Sequence, residues 1–341
     1  MMRLILLLKA SNEGGRMFSF NVEKTSVRSI FEDQILWDLI VVGGGPAGLN
    51  AGLYAKRKGL KVGIISYEIG GQLHNTSTVD NYLGIQDIEG KTLSDQFLSH
   101  INRLEIPILK HLKITLIEKN GSNFQLLLSD GKLLRSKTIL IATGGAPRKL
   151  HVEGEMTYAN KGVSYCTTCD APFFKDKHVI VAGGGNSAAE AVLDLVPWAR
   201  KITVIHRSQW RADQILLDKH QKIEHLDVHL NTQILNIYGN DKMSGIEVLD
   251  KKTGKQFKID AEGLFIEIGT VPNSDLVKHL VATNEKGEII VDSNQMTSLP
   301  GLYAAGDVTD QPYKQIIISA AEGAKAALAI THYLNQTYKG E

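Results

Sequence analysis

A strand–turn–helix–strand pattern that occurs twice constrains the fold more than any other feature. The first copy opens on the apolar, β-branched run Trp37-Asp38-Leu39-Ile40-Val41-Val42 and turns through Gly43-Gly44-Gly45-Pro46-Ala47-Gly48. A helix is expected from Pro46 to about Lys58, with Gly59 as its stop and Lys61 to Ile65 as the next strand. The second copy runs from Lys177-His178-Val179-Ile180-Val181-Ala182 into Gly183-Gly184-Gly185-Asn186-Ser187-Ala188. A helix through Glu190 to about Val196 and a strand from Lys201 to Ile205 follow. Gly43 and Gly183 make the tight turn, and Gly45 and Gly185 let backbone approach a pyrophosphate. Gly48 lets the helix lie against the strand, and Ala188 is small enough to do the same in the second copy. Each helix then points its N-terminus at the phosphates. The chain is therefore expected to be α/β, with two Rossmann-like dinucleotide-binding domains, the second inserted in the first.

The remaining segments fill in that plan. Phe124 to Leu128 and Lys132 to Leu134 read as a hairpin around Ser129-Asp130-Gly131, and Thr138 to Gly144 as a buried strand. A second hairpin is expected from Ile234 to Phe257, then strands from Gly263 to Gly269 and Gly301 to Asp307, and a last helix from about Gln315 to Gln336. Pro147 and Pro272 mark two short paired crossings. The expected domains are residues 35–147 with 274–341, and residues 148–273 inserted between them; residues 1–34 form an N-terminal extension. In that extension Leu4-Ile5-Leu6-Leu7-Leu8 is too short for a signal-peptide core or a bilayer span, and Met17 is an alternative start. A net charge of +1 gives no reason to expect nucleic acid or an anionic membrane as partner.

Both cysteines of the chain stand in Cys166-Thr167-Thr168-Cys169, followed at once by Asp170. Two thiols at this spacing can close a small disulfide and reopen it, and a helix start favours the thiolate. A metal half-site or two unrelated buried thiols also fit the bare spacing. Tetrahedral zinc needs two more soft ligands, and no second cysteine pair supplies them, so no metal is expected. Two dinucleotide sites and one dithiol define an electron path: a nicotinamide on one glycine turn, a flavin on the other, then the disulfide. A carboxylate beside the pair can move protons without being the nucleophile, although an aspartate there would also cap a helix. The absence of a disulfide framework fits a reducing cytoplasm.

These motifs belong to a longer set: VVGGGPAGLNA, GGQL at Gly70 to Leu73, DNYLG at Asp80 to Gly84, ATG at Ala142 to Gly144 and VSYCTTCDAPFF at Val163 to Phe174. GGGNSAAE at Gly183 to Glu190, GTVPN at Gly269 to Asn273, AAGDV at Ala304 to Val308 and PYKQIIISAAEGAKAA at Pro312 to Ala327 complete it. From about Trp37 to the C-terminus the chain resembles the low-molecular-weight thioredoxin reductases and the related flavoprotein subunit of alkyl hydroperoxide reductase. The resemblance implies FAD on the first glycine turn, held by Gly43, Gly45, Pro46, Ala47, Gly48, Glu68, Gly71, Gln72, Leu73, Asn81, Ala142, Thr143, Gly144, Gly306, Asp307, Lys314, Gln315 and Ile316. It implies a nicotinamide dinucleotide on Gly183, Gly185, Asn186, Ser187, Ala188, Glu190, His206, Arg207 and Arg211. Cys169 would face the flavin, Cys166 would exchange with the partner's disulfide, and Asp170 would handle the proton. The implied activity is thioredoxin-disulfide reduction, from NADPH to a thioredoxin or thioredoxin-like protein, by a cytoplasmic homodimer. The family rotates the inserted domain on its two crossings.

The chain departs from that pattern in places. Ser66 stands where an acid usually binds the adenosine ribose, with Glu68 two residues on. The NADPH pattern of His-Arg-Arg and a later arginine reads here His206-Arg207-Ser208-Gln209-Trp210-Arg211. Arg207 and Arg211 can still grip a 2′-phosphate, and no acid stands there to favour the ribose of NADH, which remains the alternative. One rival function is an NADH-dependent reductase of a peroxiredoxin-linked thioredoxin-like carrier, favoured by Ala212-Asp213-Gln214. That subunit normally carries a double thioredoxin-fold module, for which residues 1–33 are too short. The other rival is a flavin-dependent oxidase of small dithiols, which leaves the second glycine turn unused.

Overall fold

The computed structural model describes Phe31, residues 35–76 and residues 78–338. The expectations for the N-terminal extension lie outside the described residues, except that Phe31 is buried and stacks on Trp37 with ring centroids 4.9 Å apart. The chain forms two compact units: one takes the chain up to Leu73, Lys91–Gly144 and Pro272 onwards, the other His74–Gly90 and Gly145–Val271.

The first unit begins with strand β1 (Leu36–Gly44), helix α1 (Pro46–Arg57) and strand β2 (Val62–Ile69). β1 runs parallel to β2, with Val41 opposite Ile64, and parallel to strand β3 (Leu133–Ile141), with Leu39 opposite Thr138. Its unbroken apolar run is explained by layers on both faces of the sheet. Ile40 and Val42 pack with Phe124, Leu126 and Ile139, while Leu39 and Val41 pack with Ala47, Ala51 and Ala55 of α1. β3 is one strand where two short ones were expected. Its first half pairs antiparallel with Asn123–Leu128, and Ile114–Asn120 extends that hairpin by a strand.

In the second unit Cys169 lies on a short helix, α2 (Thr167–Asp170), and Cys166 stands at its N-cap. Strand β4 (His178–Ala182), helix α3 (Asn186–Leu195) and strand β5 (Lys201–His206) repeat the first unit's opening. β4 is flanked in parallel by β5 and by strand β6 (Gly263–Ile266). Val179, Val181 and Phe265 pack on Ala188, Ala191 and Val192 of α3. Ile180, Ala182 and Leu264 pack with Ile246 and Val248 of a three-stranded antiparallel sheet, which extends the expected hairpin by Gln256–Asp260.

Strand β7 (Leu302–Ala304) and helix α4 (Ile316–Thr337) return to the first unit, β7 running parallel to β3. Gly323 of α4 meets the backbone of Ala47 so closely that a Cβ at 323 would overlap the Ala47 carbonyl. The division between the units falls at Gly144/Gly145 and Val271/Pro272, and Gly145–Pro147 and Thr270–Pro272 pair with each other as a two-stranded ribbon. His74–Gly90 is also grouped with the second unit, closed on itself by bridges from Val79 to Ile88 and Tyr82 to Ile85.

Candidate active site

The disulfide turn is built by the backbone. Cys166 is extended and caps α2, and its disulfide to Cys169 is closed, with the Cα atoms 5.3 Å apart. Both cysteines are half-buried. Beneath them lies Ser164, only 4 % exposed. Its hydroxyl accepts the Cys166 N–H at 3.1 Å and donates to Asp170 Oδ2 at 2.7 Å. Asp170 makes no side-chain capping bond to the Ala171–Phe174 turn that follows, so the capping role weighed for it is not seen. Burial pushes the Asp170 carboxyl above the usual range, and the Ser164 bond offsets part of the rise.

β6 ends at Ile266 rather than at Gly269, and Glu267 leaves the sheet. Its carboxylate reaches Thr167 of α2 and Ser187 of α3. Neither Glu267 nor Ser164 stands out in the sequence. The signals there were a charge that interrupts an apolar strand and a serine inside the motif around the cysteines.

In the first unit Gly43 has φ +120 and lies on Ala142, whose carbonyl a Cβ would overlap. A Cβ at Gly45 would meet nothing within 4 Å, so the turn leaves an open cradle at the α1 N-terminus, and no acid stands in the first turn to oppose a phosphate. Gly71 approaches the Cα of Gly45, and Gly306 approaches Ala47. Gln72 donates to Asp307 Oδ2 at 2.8 Å and Ser319 to Oδ1 at 3.0 Å. Burial raises the Asp307 carboxyl, and those bonds with Lys314 oppose the rise. Glu322 accepts the Gly306 N–H at 2.7 Å and fixes the same loop. Thr143 and Asn273 exchange side-chain to backbone bonds beside Gly144. Pro46, Gly48 and Leu73 flank this cluster, and Lys314, Gln315 and Ile316 lead into α4; Lys314 is drawn to Glu288 at 3.4 Å. Ser66 is buried with its hydroxyl on the Glu68 carbonyl, which leaves the Glu68 side chain exposed at the end of β2. Asn81 lies in the segment grouped with the second unit.

The second turn repeats the cradle: a Cβ at Gly185 meets nothing within 4 Å, and no acid occupies the first turn of α3. Asn186 is tied to Asp213 by two bonds of 2.8 Å, and Glu190 is exposed. His206 is buried against Gly184; burial, then Arg211 and Arg207, depress its proton affinity and keep the ring neutral. Arg207 and Arg211 are exposed, and among the described residues neither is paired with a carboxylate.

The chain matches the family model of pyridine nucleotide-disulphide oxidoreductases over residues 37–325. It is 40 % identical over 311 residues to an alkyl hydroperoxide reductase subunit of Staphylococcus aureus, a match that covers 91 % of this chain and 61 % of that one. The chain thus spans about three fifths of the length of the curated relatives it matches. Among solved structures it is similar to thioredoxin reductase from Streptococcus pyogenes, with 36 % identity, a TM-score of 0.84, and 88 % of this chain and 99 % of that one covered. Thioredoxin reductase from Giardia duodenalis superimposes with a TM-score of 0.83 at 29 % identity, over 88 % of this chain and 99 % of that one. With two glycine turns of one design, a closed disulfide between them in sequence and a match over most of its length, the chain belongs to the pyridine nucleotide-disulphide oxidoreductase family.

Proposed function

We propose that the protein is a thioredoxin-disulfide reductase, passing electrons from NADPH by way of FAD and the Cys166–Cys169 disulfide to a thioredoxin-like protein. The observation that carries this reading is the closed Cys166–Cys169 pair, held in a half-buried turn of the unit that also contains the second glycine turn. The first unit's cradle, with Gly45, Gln72, Gly306 and Asp307, fits FAD, and the second, with Gly185 and Ser187, fits the nicotinamide dinucleotide. Bound there, FAD supplies two-electron chemistry between a nicotinamide and a disulfide.

The chain's own groups perform the exchange. In the dithiol form the Cys166 thiolate attacks a sulfur of the partner's disulfide, and the partner's second sulfur leaves as thiolate. Cys169 then attacks the Cys166 sulfur, which releases the partner as a dithiol and restores Cys166–Cys169. Asp170 gives a proton to a leaving thiolate and recovers one from Cys169. Its carboxyl keeps the proton to a higher pH than an exposed aspartate, so the acid-assisted step slows as pH rises through that raised value. Asp170→Asn is expected to lower kcat for the protein disulfide by about 10²-fold and to remove that slowing, as read from a pH–rate profile.

We assign a 2′-phosphate to Arg207 and Arg211, both of which are exposed beside the neutral His206. The double change R207A/R211A is expected to raise KM for NADPH at least about tenfold and to leave kcat/KM for NADH within about twofold. Equal losses for the two nucleotides would remove the assignment.

We further propose a cytoplasmic homodimer, whose net charge of +1 gives no reason to expect a nucleic-acid or membrane partner. The similarity to the alkyl hydroperoxide reductase component favours a second reading, in which NADH is the donor and the acceptor is the thioredoxin-like carrier of a peroxiredoxin. Anaerobic reduction of the FAD-loaded protein by NADPH and NADH in parallel, followed by candidate thioredoxin-fold proteins, separates the two. Failure of every such protein to reoxidise the flavin would overturn both.

A further inference from the structure

Directly after β6, Glu267 places one carboxylate between two functional elements of the second unit. Its Oε1 accepts the Thr167 hydroxyl at 2.7 Å and the Thr167 N–H at 3.3 Å. Its Oε2 accepts the Ser187 hydroxyl. Thr167 opens α2 between the two cysteines, and Ser187 is the second residue of α3, at the glycine turn. No cation is paired with this carboxylate among the described residues. The charge that faces it is a like one, Asp194 of α3; α2 contributes Asp170, which is engaged by Ser164. Burial raises the proton affinity of Glu267 above the usual range, and the three bonds offset part of the rise.

The Ser187 hydroxyl has one hydrogen to donate. A pyrophosphate oxygen at the α3 N-terminus competes for it. Once the hydroxyl turns to phosphate, Oε2 is a half-buried, charged acceptor that has lost its protein donor, which is costly. One proton from solvent removes that cost: the neutral carboxyl donates its own O–H to Ser187 Oγ, and Oε1 keeps Thr167. We propose that Glu267 is a positioning residue that takes up one proton from solvent when a dinucleotide pyrophosphate occupies the second glycine turn. Through Thr167 it ties occupancy of that turn to the disulfide. This rests on the dinucleotide reading of that turn.

Linkage gives the sign. The bound state holds the Glu267 proton more tightly than the free state, so affinity is fully expressed below the free-state value. It weakens by up to about tenfold per pH unit between the free and bound values. By reciprocity, nucleotide binding also changes the midpoint potential of Cys166–Cys169.

The test uses the full-length, FAD-loaded protein with its disulfide closed. It is titrated calorimetrically with NAD+ and with NADP+ at steps from about pH 5 to about pH 9, in two buffers of different ionisation heat. NAD+ is the cleaner arm because the 2′-phosphate of NADP+ titrates by itself. The wild type is expected to take up protons on binding NAD+, up to one per nucleotide, with the largest uptake between the free and bound values of Glu267. Glu267→Gln preserves the shape and the Thr167 bonds but cannot titrate, and Ser187→Ala removes the switching hydroxyl; both are expected to lose that uptake. Saturating NAD+ is expected to shift the disulfide's midpoint potential in the wild type and not in E267Q. Binding with the same proton count in wild type and E267Q would overturn the proposal and leave the dinucleotide reading standing. Absence of binding heat with either nucleotide would overturn both.

Discussion

Cys169→Ser is expected to cut NADPH-driven reduction of a thioredoxin-like protein by roughly 10⁴-fold or more, to background. The variant cannot re-form the disulfide, so Cys166 has no resolving thiol and a mixed disulfide with the partner persists. The same variant should bind FAD as the wild type does, because the flavin cradle lies in the other unit and Cys169 packs in a turn that backbone bonds hold. It should also still pass electrons from NADPH to a small artificial acceptor. Partner turnover and NADPH–dye turnover measured on one sample separate these cases. Substantial partner reduction by C169S would exclude the disulfide route.

Gly43→Ala is expected to remove FAD binding and to destabilise the first unit by at least about 2 kcal/mol. Two penalties act together. The backbone at 43 has φ +120, which a side chain disfavours, and the new methyl would overlap the Ala142 carbonyl. Ala142 follows β3, so relief by movement would pull on the strand that lies between β1 and β7. Flavin content by absorbance and the thermal midpoint with and without added FAD read the two effects. Gly45→Ala is the control, because its Cβ has open space in the protein alone. It should keep the wild-type midpoint without FAD and lose flavin affinity.

What could be read from the sequence was local or periodic. Both glycine turns and their helices were legible because a strand buried on two faces shows as an unbroken apolar run and because glycine marks close approach. Helix α1 was expected from Pro46 to about Lys58 and spans Pro46–Arg57. The cysteine pair was legible because it uses every cysteine the chain has. What was missed depends on distant parts of the chain. β3 is continuous because β1 runs along one edge while two different partners share the other, Asn123–Leu128 along its first half and β7 along its second, and neither of these is visible from Leu133–Ile141 alone. Glu267 falls inside the strand expected from Gly263 to Gly269; its contacts depend on Thr167 and Ser187, which only the fold brings to it. Likewise Ser164 matters only because the turn at Cys166 bends Asp170 back onto it. Asn81 was assigned to the flavin from the resemblance, and the segment that carries it, His74–Gly90, is grouped with the second unit.

β7 and α4 belong to the first unit and follow every element of the second unit in the chain. β7 pairs with β3, and α4 meets Ala47 through Gly323, so the first unit's sheet and helix layer stay incomplete until β7 and α4 have been made. Every element of the second unit has been made before then. The nascent chain therefore contains every residue of its disulfide-bearing unit before those that complete its flavin cradle, although the cradle's glycines are translated first. A chain terminated before Leu302 would have the cysteines and the second glycine turn, and no completed cradle for the flavin.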